Sequence, residues 1–318
     1  VGAAFTGARA MCGTSGGGFA LMTEAFGLAG VAESAVVVMV SQRPGPATGL
    51  PTWTEQADLR MVVHAAQGEF PRVVLAPGDH TQCFEFAWRA FDLADALQTP
   101  VVLMLDNYLS ENRASIPPFD TAGVTVDRGD IVVEGDVGED YLRYRVTDSG
   151  VSTRAVPGVR GALQVANSYD HDEYGFANEE PAMRDAQEEK RMRKLDLARK
   201  LVPSPLVEGP DDAAVGLIVW GSTVMPARQA LAWLDAEGVP TRMLQVTTLE
   251  PFPADVVTEF NEDTPRTLVV EGNFTGQLES LVREHCLLEI DDSLRRYDGR
   301  PPAPEEILLR ANEVAARA

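Results

Sequence analysis

The chain has 318 residues, 45% of them hydrophobic and 7% aromatic, which is apolar material for two globular domains and too ordinary a composition for a disordered or fibrous protein. Its 48 acidic against 27 basic residues leave a net charge of -21, a field that disfavours nucleic acid and anionic membranes and reads either as an ordinary solvated acidic surface or as adaptation to a high-salt cytoplasm. No apolar run approaches the roughly 18 residues of a membrane-spanning helix, and VGAAFTGARAM has neither the basic start nor the apolar core of a leader, so the expectation is a soluble, cytoplasmic protein.

In chain order, VGAAFTGA reads as the last turns of a helix closed by Gly7, with a missing segment expected upstream of Val1. Residues 9–13 read as a strand, 18–29 as a helix and the apolar run 35–40 as a buried strand. A second cycle gives a helix over 54–66, a strand over 73–76, a helix over 81–97 and a strand over 101–105. Continuous β-branched runs bounded by helices mark a parallel sheet covered on both faces. Residues 124–133 are expected to form a hairpin around Arg128-Gly129-Asp130, and 142–147 a further short strand, in a β-rich insertion over about 120–166. The charged segment 181–201 reads as a helix with a solvated face that ends at the linker PSPLVEGPDD. A second α/β unit follows: a strand over 215–220, a GST turn, a helix through Leu234 stopped by Gly238, strands over 242–246 and 266–271, and a proline-rich tail with a short helix.

Two loops carry candidate chemistry. Thr14-Ser15-Gly16-Gly17-Gly18 joins a strand to a helix start, where glycines let a ligand approach the backbone N–H groups. It lacks the signature of a phosphate loop or a dinucleotide site, so a tight turn or a subunit contact stays open beside a ligand site. The second loop, SQRPGPATGLPT from Ser41 to Thr52, follows the buried strand at the end where parallel sheets open their crevices. Its three prolines and two glycines stiffen it, and it offers Gln42, Arg43, Thr48 and Thr52 as donors. The planar guanidinium of Arg43 suits a carboxylate bidentately, whether of a ligand or of an acidic side chain.

SGGGFALMTEAFGLAG followed by SQRPGPATGLPTWTEQADL resembles the pyrimidine-binding domain of the alpha subunit of 2-oxoacid:ferredoxin oxidoreductases. FPRVVLAPGD, TPVVLMLDNYLSE, HDEYG, EKRMRKL, VVEGNFTGQL and YDGRP continue the resemblance in family order, most like the 2-oxoglutarate branch. The implied fold is α/β: a thiamine-diphosphate pyrimidine-type parallel-sheet domain over 1–203, then a smaller transketolase C-terminal-like α/β domain over 211–318. The implied reaction decarboxylates a 2-oxoacid, passes electrons through iron-sulfur clusters to ferredoxin and the acyl group to coenzyme A. Arg43 matches the family arginine on the substrate carboxylate and Thr52 a threonine of the same pocket, with Gln42 beside them; Ser15, Gly16 and Gly17 are the cofactor-side candidates. Ala47 stands where the family has a serine and Gly17 where many relatives have a proline. The activating glutamate and a YPITP-like loop are expected upstream of Val1. Thiamine diphosphate, its Mg2+ and the iron-sulfur cluster are expected on a beta-subunit partner, in a dimer of heterodimers that serves ferredoxin. A transketolase-like enzyme and a non-catalytic scaffold subunit are the rival readings.

The remaining candidates are weaker. Cys12, Cys83 and Cys286 show no CxxC spacing and read as small core residues rather than ligands. Asp170, His171, Asp172 and Glu173 are consecutive, which fits an exposed acidic turn better than one metal ion. His64, His80 and His285 each stand alone. Glu271, Asn273 and Thr275 follow a strand, where either a crevice or a capped helix start is expected.

Overall fold

The computed structural model describes residues 1–317. Helix α1 (Gly2–Phe5) leads to β1 (Met11–Thr14), α2 (Gly16–Val31) and β2 (Val37–Gln42), then α3 (Leu59–Val63), β3 (Val73–Leu75), α4 (His80–Leu97), β4 (Val101–Asp106) and α5 (Asn107–Glu111). The two-residue strands β5 (Ile131–Val132) and β6 (Arg154–Ala155) precede the long α6 (Pro181–Leu201). The second unit comprises β7 (Leu206–Glu208), β8 (Val215–Val219), α7 (Val224–Ala236), β9 (Thr241–Gln245), β10 (Thr248–Glu250), α8 (Ala254–Glu262), β11 (Thr267–Glu271), α9 (Gln277–Cys286), β12 (Asp292–Arg295) and α10 (Pro304–Ala315).

Among the described residues these strands form two five-stranded sheets, ordered β1-β2-β4-β3-β10 and β12-β11-β8-β9-β7. Val37 of β2 aligns with Met11 and Val101 in parallel, and Val101 with Val73. The apolar runs of β2, β3 and β4 are buried on both faces, as a sheet sandwiched between helices requires. One face packs Val37, Leu75 and Leu103 against Phe86, Leu93 and Leu97 of α4. On the other face Val38, Val102 and Met104 join a cluster that continues through Leu59 and Val62 of α3 into Trp220, Leu244 and Leu281 of the second unit. The two units therefore share one core, and each fully buried leucine there contributes about 1.5–3 kcal/mol.

Several expectations change. The linker after α6 contains β7, which pairs antiparallel with β9, and β10 crosses to the first sheet, where it pairs antiparallel with β3. The insertion is not β-rich: β5 and β6 pair in parallel rather than as a hairpin, and 142–147 forms no strand. Polar anchors replace a ladder there. Asp95 of α4 accepts from Arg9, Arg128 and Arg154 at 2.8–3.0 Å, tying the amino-terminal segment and the insertion to the first unit. The expected helix over 54–66 shrinks to α3 because the second unit takes up the backbone before it.

Helix α6 has the predicted bounds but not a wholly solvated face. The chain has three lysines, and two of them, Lys190 and Lys194, are at most 1% exposed. Each ammonium lies 2.6 Å from one oxygen of the buried Glu33 carboxylate, just beyond the end of α2. An i, i+4 pair places both on one side of the helix.

Candidate functional site

β2 occupies an interior position of the first sheet, so the loop that leaves it at Gln42 emerges over the carboxyl ends of the strands. The loop is braced locally. Leu50 N–H donates to the Pro44 carbonyl at 3.0 Å and Trp53 N–H to the Leu50 carbonyl at 3.2 Å. Gly49 is left-handed at φ +51°, where a Cβ would run into the Pro44 carbonyl, so only glycine closes this turn. Arg43 sits half-buried at the root of the loop, and no carboxylate closes an ion pair with it among the described residues. Its guanidinium is free to take an external anion.

Asp58 is the carboxylate nearest in effect. It precedes α3 yet does not cap it; the side chain turns instead onto the amino end of α2, where a Cβ at Gly16 would collide with the carboxylate. Oδ2 is buried without a hydrogen bond from the chain. Burial pushes this carboxyl up to about 6 against the pull of Arg43. Burial, then the neighbouring Asp58, also raises Glu55, whose carboxylate accepts from the Gly45 N–H. Asp58 and Glu55 were not among the sequence candidates, because an aspartate just before an apolar helix reads as an ordinary cap.

The segment carrying both acids is held by the second unit. Gln56 N–H donates to the Gly272 carbonyl at 2.6 Å, while its side chain accepts from Gly272 N–H and donates to the Trp220 carbonyl. Gln277 donates to the Ala57 carbonyl at 2.7 Å and accepts from Arg60 N–H at 3.0 Å. Gln42 completes the frame. Its Oε1 accepts from Asp58 N–H at 3.0 Å and its Nε2 donates to the Leu105 carbonyl at 3.1 Å. At 1% exposure Gln42 presents no donor to the crevice, contrary to expectation; it positions Asp58.

The other candidates separate. Thr52 is exposed and lines a shallow pocket of about 280 Å3 with Trp53, Asn107, Tyr108 and Arg300, of which Arg43 is not a wall. Thr48 is exposed on the loop. Ser15 begins α2 without a side-chain cap, Gly16 is glycine because of Asp58, and Gly17 is exposed. Among the described residues no three His, Cys, Asp or Glu side chains gather as metal ligands would.

His171 does not lie in an exposed acidic turn. It is fully buried, its ring 4.0 Å from that of Tyr144 and its nitrogens facing the Asp172 and Val31 carbonyls. His64 follows α3, His80 opens α4, and His285 stacks on Phe252. Cys12 is exposed on the edge strand β1 rather than packed in the core, and Cys83 and Cys286 are partly buried. Glu271 and Asn273 are buried and cap α9: Glu271 accepts from Leu278 and Glu279 N–H groups and from Asn273, whose Oδ1 takes Gly276 and Gln277 N–H. Glu271→Ala is expected to cost about 2 kcal/mol by stranding buried N–H groups, read as a lower urea midpoint; an unchanged midpoint would show the cap to be dispensable.

Two α/β units that share one core, with the stiff loop at the carboxyl ends of the first sheet, place the chain in the fold class of thiamine-diphosphate enzymes. A split-gene transketolase aligns over 99% of this chain and 78% of its own with a TM-score of 0.55 at 13% identity, a likeness of fold alone. The family model described as pyruvate flavodoxin/ferredoxin oxidoreductase, thiamine diP-bdg matches residues 1–191, and the chain belongs to that family. It is 41% identical over 306 residues to 2-oxoacid:ferredoxin oxidoreductase 2, subunit alpha, of Aeropyrum pernix, covering 95% of this chain and 47% of that one. Among solved structures, the 2-oxoglutarate:ferredoxin oxidoreductase from Magnetococcus marinus, with 2-oxoglutarate, coenzyme A and succinyl-CoA bound, matches with a TM-score of 0.92 at 32% identity, over 99% of this chain and 54% of that one. The chain thus spans about half the length of these two relatives.

Proposed function

We propose that the chain is the substrate-facing part of the alpha subunit of a 2-oxoacid:ferredoxin oxidoreductase, which converts a 2-oxoacid, 2-oxoglutarate in the first instance, and coenzyme A into acyl-CoA and CO2 while reducing ferredoxin. The single observation that carries this reading is the Arg43 guanidinium, unpaired among the described residues, at the root of a braced loop over the carboxyl ends of the first sheet. In it, residues 1–203 form the pyrimidine-type domain and 211–318 the transketolase C-terminal-like domain, with the boundary crossed by β10. Thiamine diphosphate, with Mg2+ and the iron-sulfur cluster, belongs to a beta subunit and supplies the electron sink for decarboxylation. This chain supplies the anion contact and an orienting wall: Arg43 fixes the substrate carboxylate, and the Gln42 and Gln56 frame keeps the loop from shifting.

The test is turnover by the complex purified with its beta subunit. Coenzyme-A-dependent CO2 release coupled to ferredoxin reduction is expected with 2-oxoglutarate, and none from this chain alone. Preference for pyruvate or a branched-chain 2-oxoacid would move the substrate within the family. Acyl transfer that reduces no ferredoxin would instead favour a transketolase-like enzyme, and a complex inert toward every 2-oxoacid would favour a scaffold.

A further inference from the structure

We infer that Asp58 is a positioning residue that sets the charge an anionic substrate meets at Arg43: protonated, it lets the crevice take a carboxylate, and ionised, it opposes one. The inference rests on the reading of Arg43 as the carboxylate contact.

Asp58 is tied to the root of the loop through Gln42, the neighbour of Arg43, and its carboxylate is left unpaired. Its backbone is clamped by Gln42 on one side, and the Ala57 carbonyl by Gln277 of α9 on the other, which fixes the stem of a side chain that lies against Gly16 at the amino end of α2. Its side chain declines the cap of α3, and Oδ2 is buried with no donor. The charged groups that face it are Arg43 from the loop and Glu55 from its own segment; the Gln42 amide carries no charge, and the amino end of α2 adds a partial positive one. Closing an ion pair with Arg43 would be the cheapest way to house the charge, yet that pair is not made. Desolvation without a hydrogen bond therefore favours the neutral acid, in keeping with a carboxyl raised to about 6.

A 2-oxoacid carboxylate arriving at Arg43 brings a further negative charge beside Asp58 and Glu55. Binding must then raise the affinity of Asp58 for its proton, and by reciprocity the proton must raise the affinity for substrate. As pH rises through the Asp58 ionisation, KM should climb while kcat changes little.

The experiment measures kcat and KM for 2-oxoglutarate with the alpha-beta complex from about pH 5 to about pH 8.5, across the range in which a raised carboxyl titrates. The wild type should show KM rising on the order of fivefold, the scale of one unit charge a few ångströms away screened as in water. Asp58→Asn should flatten that profile and lower KM at the alkaline end, a gain that mere damage to the fold would not produce. Glu55→Gln, by removing a neighbouring negative charge, should move the inflection to lower pH. A KM profile in Asp58→Asn that keeps the wild-type slope, or a KM that rises at every pH, overturns the inference. Should Asp58→Asn fail to assemble, an unmoved inflection in Glu55→Gln overturns it instead. Arg43→Ala separates the two readings: unchanged KM there defeats the carboxylate contact itself, whereas impaired Arg43→Ala with an unaltered Asp58→Asn profile defeats only the role of Asp58.

Discussion

Glu33→Ala is expected to destabilise the protein by about 3–5 kcal/mol, because it removes the one acid from a buried pair of ammonium groups. Lys190 and Lys194 are at most 1% exposed, each 2.6 Å from Glu33. Lys194 also donates to the Gln98 carbonyl at 3.0 Å, and Arg143 to the Glu33 carbonyl at 2.9 Å. Against a total stability of roughly 5–15 kcal/mol the loss should be plain in a urea melt. Adding Lys190→Met and Lys194→Met should recover most of it, since the cost lies in stranded charges rather than in lost packing. A single Glu33→Ala melt that matches wild type would mean that water reaches the ammonium groups.

The same triad sets an acid limit. Burial pushes the Glu33 carboxyl up, but Lys190, Lys194 and Arg143 outweigh it and hold it well below the usual carboxylate range. A carboxyl depressed in the folded state adds stability that is fully present above its unfolded value of 4.5 and is lost as pH falls toward the folded one. The triple variant should therefore lose less stability than wild type on acidification below that value. Because Glu33 follows α2, whose other end carries Gly16 under Asp58, the triad also fixes the helix on which the site is built.

What could be read in advance follows the physics of each segment. β2 and β4 announce themselves, since a strand covered on both faces must be a continuous apolar run. α6 announces its length through Pro181 and its helix-forming composition, but not its buried lysines, because a charged side chain reads as solvated until its partner is placed. Two lysines four apart in a chain with only three were the available hint. β10 is three residues long, too short for any period, and exists because β3 offers an edge. Residues 54–58 read as the opening of a helix, yet the second unit claims their backbone groups through Gln56 and Gln277, and helix formation yields to those tertiary hydrogen bonds. The stiff loop that carries Arg43 was legible because prolines and glycines act locally. Asp58 was not, since its orientation depends on a glycine some forty positions earlier.

Arg43→Ala is expected to lower kcat/KM of the alpha-beta complex for its 2-oxoacid on the order of 10²-fold, equivalent to about 3 kcal/mol of transition-state stabilisation. No ion pair among the described residues holds Arg43, so its removal should leave the stability within about 0.5 kcal/mol of wild type, as for a surface substitution. Loss of rate without loss of fold assigns the side chain to the ligand. Arg43→Lys should restore little, because an ammonium is a point charge and cannot match both carboxylate oxygens with a planar fork. The loop's bracing bears on the size of the effect. With Leu50 hydrogen-bonded to the Pro44 carbonyl and Gly49 in the left-handed region, the guanidinium is presented from a stiff base, so little ordering remains to be done when the substrate binds. A kcat/KM unchanged in Arg43→Ala would place the carboxylate on another residue, of the partner or of this chain, and the loop would then be a structural brace alone.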